Sequence, residues 1–211
     1  MIQEKPTAGI ILAAGASTRF GQPKQLLRLK DKYLIEWVLD AALNSMLSRI
    51  VLVLGYSHQK ILQALGKKSQ HSKLYIKVNP QYKEGQSRSL RTGLSTVKDD
   101  FAAVIFLLGD QPMLNSATIN TLLDQFWSSD QDICVPTYRG KRKTPTVFGR
   151  RFYRHLMDIK GDMGARQLIE ANPDQVLSVE MDDPLCFFDI DTEQDFERLL
   201  CKIRNQKSKI I

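Results

Sequence analysis

The stretch FAAVIFLLGD, residues 101–110, does most to limit what this chain can fold into. It is apolar throughout until it meets Gly109 and Asp110. A strand without polar alternation must be covered on both faces, which is the condition of a strand in a parallel sheet flanked by helices. GIILAA (9–14), RIVLVLG (49–55), LYIKV (74–78) and DICVP (132–136) also read as strands. Segments of helical period lie between them. YLIEWVLDAALNS (33–45) places Leu34, Trp37, Val38, Ala41 and Ala42 on one face. SHQKILQALG (57–66) opens on a serine suited to capping and closes on a glycine, QSRSLRTGLSTV (86–97) is a short helix, and SATINTLLDQFW (116–127) again starts with a capping serine. The remainder is less regular: PTVF (145–148), helices near 149–157 and 164–171, strands VLSVE (176–180) and CFFDI (186–190), and a closing helix from Thr192. The repeated β-α order predicts an α/β fold, a single Rossmann-like doubly wound sheet, mostly parallel, with helices on both faces. Such sheets bind ligands at the carboxyl ends of their strands.

The 211 residues suit one domain, expected over 1–201, with 202–211 as a basic, disordered tail. A hydrophobic fraction of 43% and a charged fraction of 25% are ordinary for a soluble globular chain. No apolar run approaches the roughly 18 residues of a membrane span, and MIQEKPT lacks the profile of a secretory signal. The expectation is a cytoplasmic protein. Cys134, Cys186 and Cys201 are odd in number and far apart, which argues against a disulfide framework or thiolate zinc site. His58, His71 and His155 are scattered, with no spacing for a metal site or a Ser-His-Asp hydrolase. The net charge of +7 is concentrated in YRGKRK (138–143) and KIRNQKSK (202–209). Neither carries the interleaved aromatics of a single-strand nucleic-acid binder. Their plainer reading is a solvated loop and a frayed end.

Five segments carry the chemistry. LAAGASTRFGQPKQLL (12–27) follows the first strand. Gly15 and Gly21 let the backbone turn close to a ligand, Ser17 and Thr18 offer hydroxyls, and Arg19 and Lys24 supply charge. Five residues separate the glycines, so neither the P-loop nor GxGxxG is present. Pro23 stiffens the approach to Lys24. Asp110, at the carboxyl end of the central strand, lies where a ligand crevice forms and suits a hard cation shared with phosphate. Asp189 and Asp191 alternate with apolar residues and would face one way on a strand, although Asp and Thr192 before a helix are also ordinary caps. Asn79 follows the third strand. Ser87, Arg88 and Ser89 open a helix whose amides suit an anion. GDMGAR (161–166) carries Arg166, a candidate for a second substrate's phosphate.

Taken in order, LAAGASTRFGQPKQLL, EGQSRSLRTGL, LLGDQP, GDMGAR and DIDTEQDF resemble the motif set of the molybdenum cofactor nucleotidyltransferases, above all the cytidylyltransferases and their purine-catabolism relatives. The resemblance runs from about Ala8 to Leu199. It implies the nucleotide-diphospho-sugar transferase type of sheet and Mg2+-dependent transfer of CMP from CTP to a phosphate on a molybdopterin-type acceptor, with release of pyrophosphate. On that resemblance Leu12, Ala13, Ala14 and Gly15 line the nucleotide, with Ser17, Thr18, Asn79 and Ser89 beside it. Arg19 and Lys24 hold the triphosphate, Asp110 and Asp191 hold Mg2+, and Arg166 meets the acceptor. Arg19, Lys24 and Asp110 are then the catalytic set. Ala14 points to cytosine, because guanylyl relatives tend to read LAGG. The resemblance also implies transient contact with a molybdenum hydroxylase. Phe20 in place of methionine, KTPTVF (143–148) in place of a Gly or His before Pro-Val-Leu-Phe, and Gln194 depart from the pattern. The second departure bears on acceptor identity. Two other readings keep some of these features: a transferase using a sugar or polyol phosphate, and a non-catalytic carrier of the pterin.

Overall fold

The computed structural model describes residues 6–16, 20–161 and 165–207. Its strands are β1 (Thr7–Ala13), β2 (Arg28–Leu29), β3 (Lys32–Tyr33), β4 (Arg49–Leu54), β5 (Leu74–Val78), β6 (Ala103–Leu108), β7 (Ile133–Tyr138), β8 (Lys141–Arg142), β9 (Thr146–Gly149) and β10 (Val176–Glu180). Its helices are α1 (Leu34–Leu43), α2 (His58–Leu65), α3 (Gln86–Leu94), α4 (Ser116–Trp127), α5 (Tyr153–Asp158), α6 (Arg166–Ala171) and α7 (Glu193–Lys207).

The main sheet runs β10-β7-β9-β6-β1-β4-β5, with β8 attached to β7. Neighbours among β6, β1, β4 and β5 are parallel, as are β7 and β10. Only β9 runs against its two neighbours along this path, which makes the sheet mixed but mostly parallel. From β1 the chain first builds outward through β4 and β5, then crosses to β6. The carboxyl ends of β1 and β6 therefore flank the point where winding reverses.

Alternation along the strands divides the core. Ile11 and Ala13 of β1 pack with α1, α2 and α4 on one face. Ala8 and Ile10 pack with α3 and α5 on the other, where Leu168 and Ile169 of α6 join them. A third cluster, Phe20, Leu29, Leu34, Leu185, Ile190 and Leu199, seats α7 over the β2–β3 hairpin. Among the described residues no helix is long and apolar enough to cross a membrane.

Several local expectations change. CFFDI is not a strand: 184–187 forms a 3-10 turn, with Pro184 at its start and the Asp183 side chain accepting from the Leu185 amide at 2.9 Å. Phe188 and Ile190 of this run pack in the third cluster instead of joining the sheet, and Asp189 and Asp191 do not share a strand face. The cap of α4 is Asn115, whose side chain accepts from the Thr118 amide at 2.8 Å, and Ser116 is already helical. Ser57 precedes α2 in a left-handed conformation and makes no capping bond. At the other end, α7 continues to Lys207, so residues 202–207 lie in the closing helix, and residues 208–211 lie outside the described residues. Thr192 does cap α7, accepting from the Asp195 amide at 3.2 Å while Asp195 accepts from the Thr192 amide at 3.0 Å.

Candidate active site

A cleft of about 310 Å3 opens at the carboxyl ends of β1 and β6. Leu12, Ala13, Ala14, Gly15, Lys24, Ser89 and Asp110, all singled out from sequence, line it. Ser17, Thr18 and Arg19 lie outside the described residues. Asn79 is buried behind the cleft; its amide donates to the Ser89 hydroxyl at 3.0 Å, and its carbonyl oxygen accepts from the Gln81 amide at 2.9 Å. Asn79 thus pins the 79–85 turn to α3 and does not form part of the cleft wall.

Close strand approach builds the floor. The Gly109 amide donates to the Leu12 carbonyl at 3.0 Å. A Cβ on Gly109 would stand 2.8 Å from the Ala13 Cβ, so this contact has room only for glycine. Gly15 has nothing within 4 Å of where its Cβ would be, leaving space in front of the loop. The loop returns through a 3-10 turn at Lys24–Leu26, entered from Pro23 at φ −59. Gln25 is buried, and its side-chain amide donates to the Ala13 carbonyl at 3.1 Å, tying the returning loop to the end of β1. Phe20 is also buried, packed in the third cluster, so the departure at that position anchors the loop.

Lys24 Nζ is held between two carboxylates, 2.6 Å from Asp110 Oδ2 and 3.0 Å from Asp191 Oδ1. Burial works to lower the pKa of this ammonium, but the charge and hydrogen bond of Asp110, with help from Asp191, override burial and raise it above its ordinary value. Lys24 is thus kept cationic. The backbone brings the acids together, since the Ile190 amide donates to the Asp110 carbonyl at 3.1 Å. Asp189 lies in the same group. Burial, reinforced by the charge of Asp110, pushes its carboxyl up to about 6 against a hydrogen bond from Gln111.

Among the described residues there is no group of three or more His, Cys, Asp or Glu side chains arranged to hold a metal. The fit for one hard cation rests on fewer donors. Asp110 Oδ1 is buried without a hydrogen-bond partner, beside the Asp191 carboxylate, which is 56% exposed. A buried, unsatisfied carboxylate oxygen is costly unless something fills its coordination. Mg2+ binds through one or two carboxylates and completes its shell with water and substrate phosphate. The donor set fits that requirement.

A larger cavity of about 920 Å3 adjoins the cleft and shares Leu12, Gln86, Leu108 and Asp110 with it. Its apolar wall includes Phe106, Val135 and Phe148, and its polar wall includes Lys141, Arg142, Lys143, Thr144, Arg166, Asp189 and Asp191. Arg166 is exposed and bonded to Glu170 at 2.8 Å. Gln111, 1% exposed, donates to the Thr144 hydroxyl at 2.7 Å and to Asp189 at 2.8 Å, linking the end of β6 to both walls. Sequence reasoning missed Gln25 and Gln111, which act through contacts formed only on folding. It also missed Tyr82, Lys83 and Gln86 in the cleft and the basic hairpin over the cavity. The hairpin's signal, four cations in YRGKRK, was visible but was read as solvated loop.

Comparison with known proteins bears on what such a site does. The MobA-like NTP transferase domain matches residues 9–176. The purine catabolism protein PucB of Bacillus subtilis is 29% identical over 196 residues, covering 90% of this chain and 93% of that one. A probable molybdenum cofactor guanylyltransferase of Thermococcus sibiricus is 30% identical over 132 residues, 62% of each chain. The crystal structure of Rv0371C from Mycobacterium tuberculosis in complex with manganese superposes with a TM-score of 0.75 at 28% identity, covering 92% of this chain and 98% of that one.

Proposed function

This chain belongs to the MobA-like NTP transferase family, a nucleotidyltransferase family, and we propose that it transfers CMP from CTP to a phosphate on a molybdopterin-type acceptor. One observation carries the reading: Lys24, Asp110 and Asp191 meet where a nucleotide-sized cleft joins a second, larger cavity. A transferase of this kind needs two substrate chambers with a charge-neutralising centre between them.

The nucleoside triphosphate occupies the cleft, its base toward Ala14, Tyr82 and Ser89. Ala14 supports cytosine, through the LAAG form of the loop. The acceptor occupies the larger cavity. Lys24, kept protonated by its carboxylates, neutralises phosphate charge at the junction. An acceptor phosphate oxygen attacks the α-phosphorus, the bond to the bridging oxygen of the β-phosphate breaks, and pyrophosphate leaves with that electron pair. No general base is needed, because the attacking phosphate is already ionised. Positioning and charge neutralisation carry such a transfer. Asp110 and Asp191 would hold Mg2+, which when bound supplies Lewis-acid neutralisation of the triphosphate. A manganese complex of a similar protein supports divalent-metal use.

The test is pyrophosphate release with CTP, GTP or ATP and Mg2+, with and without molybdopterin. The expected result is release only with molybdopterin, fastest with CTP. Faster release with GTP would overturn the base assignment, and release only with a sugar or polyol phosphate would overturn the acceptor. CTP and molybdopterin binding without release under any combination would leave a carrier.

A further inference from the structure

The basic segment 138–143 has no part in the transfer chemistry above, yet the fold carries it to the site. β7 ends at Tyr138 on the ligand edge of the sheet. β9 begins there too, with Thr146 opposite Phe106 near the carboxyl end of β6. The chain between them therefore passes over the larger cavity, and Lys141, Arg142 and Lys143 all line it. None of the three lines the nucleotide cleft.

The hairpin is braced. Arg139 turns the chain at φ 50, and its amide donates to Glu180 of β10 at 2.5 Å. The other Glu180 oxygen accepts from the Thr137 hydroxyl at 2.5 Å, and the Lys143 amide donates to the Pro136 carbonyl at 2.8 Å. The Glu180 carboxylate is thus engaged by the turn and not by the lysines, and the carboxylates that line the same cavity are held elsewhere: Asp110 and Asp191 by Lys24, Asp189 by Gln111 and Glu170 by Arg166. Among the described residues, Lys141, Arg142 and Lys143 make no ion pair, whereas Arg166 across the cavity is paired with Glu170. Uncompensated cations facing a concave surface raise the local concentration of anions. They also favour charge-assisted hydrogen bonds to a phosphate-like group.

We propose that this hairpin is a second anion site, separate from the triphosphate site, and that it grips an anionic group of the acceptor distant from the phosphate that reacts. The reacting phosphate must reach the junction at Asp110, which belongs to both chambers, while the hairpin belongs to the acceptor chamber alone. Phe106 and Phe148 offer the acceptor's body an apolar wall in that chamber. The acceptor class is therefore a molecule with a flat or apolar part and a further negative group besides the phosphate that reacts. This deepens the transferase reading and, for the acceptor, rests on it.

Two arms test the proposal on the full chain. In the first, inorganic phosphate is titrated into 15N-labelled protein and into Lys141→Gln/Lys143→Gln. Saturable shifts of amides 140–144 that vanish in the double variant are expected. No saturable shift there, or the same shift in the variant, overturns the site. The second arm is steady-state transfer from CTP to molybdopterin. The double variant should raise the acceptor KM on the order of tenfold and weaken its salt dependence, with the KM for CTP unchanged. An unchanged acceptor KM overturns the acceptor role. Saturable phosphate binding without transfer to molybdopterin supports the anion site and counts against the function proposed above.

Discussion

Lys24 is bound by two acids at once, and under the proposed function both would release it in part to a triphosphate. Removing the ammonium leaves Asp110 and Asp191 repelling each other and the phosphates without a counter-charge. Lys24→Ala should therefore weaken CTP binding by about tenfold or more, as loss of a charged hydrogen bond of about 1.5–3 kcal/mol implies; equilibrium binding checks it. Asp110→Asn keeps shape but removes the charge that holds both Lys24 and the proposed cation. Turnover should fall by about 10²–10³, and unchanged turnover would remove Asp110 from the centre. The cysteines behave according to burial. Burial pushes the Cys134 thiol up to about 12 and raises Cys186 as well, while Cys201 is exposed on α7. A thiolate-selective reagent should label Cys201 first in the native protein and reach Cys134 only on unfolding. Peptide mapping reads the order.

At the scale of elements, β1 and β6 come so close at their carboxyl ends that Gly109 has no room for a methyl group. Gly109→Ala should cost about 1–3 kcal/mol through overpacking and displace Asp110, lowering both Tm and turnover. A second joint holds α1 to the chain on either side. Asp40 accepts from Lys32 at 2.8 Å and from Lys68 at 2.7 Å, and Lys68 also lies 3.3 Å from Glu36. Burial alone would raise the Asp40 pKa, but bonds to Lys32 and Lys68 hold it below the ordinary 3.8. A carboxyl lowered on folding stabilises above its unfolded pKa and loses that contribution as pH falls through the folded one. Asp40→Asn should cost about 1 kcal/mol at neutral pH. Its gap from wild type should close below pH 3.8, and denaturant melts across that range test the sign.

For the molecule as a whole, the junction of cleft and cavity links ligand binding to stability. A ligand that binds only the folded chain stabilises it by mass action, about 2.7 kcal/mol at a hundredfold excess over Kd. CTP with Mg2+ should raise Tm, and EDTA should remove most of that gain, because Asp110 Oδ1 then has no cation to satisfy it. An equal gain in EDTA would show that nucleotide binds without metal.

The sheet, its winding and the placing of Gly15 and Asp110 on its ligand edge were legible in the sequence because each rests on local pattern. Apolar runs within 9–14, 49–55 and 101–110, alternating with segments of helical period, read as strands covered on both faces, and the residues that end the first and last, Ala14-Gly15 and Gly109-Asp110, fall on the ligand edge by the rule of parallel sheets. CFFDI departs from the expected strand because a short apolar run has no period to separate a strand from buried irregular chain, and the third cluster under α7 takes Phe188 and Ile190. Asn115 displaced Ser116 as the cap by one position, a choice between two good capping residues that only backbone geometry makes. Local pattern by itself determined the class of fold and which edge would hold a ligand. Only tertiary structure decided that Lys24 sits between Asp110 and Asp191, that Gln25 ties the loop and Gln111 joins the two walls, and that YRGKRK faces a cavity. Those contacts join residues 86 and 167 positions apart in the case of Lys24, and such pairings are set by packing of the whole chain, which no local window of sequence contains.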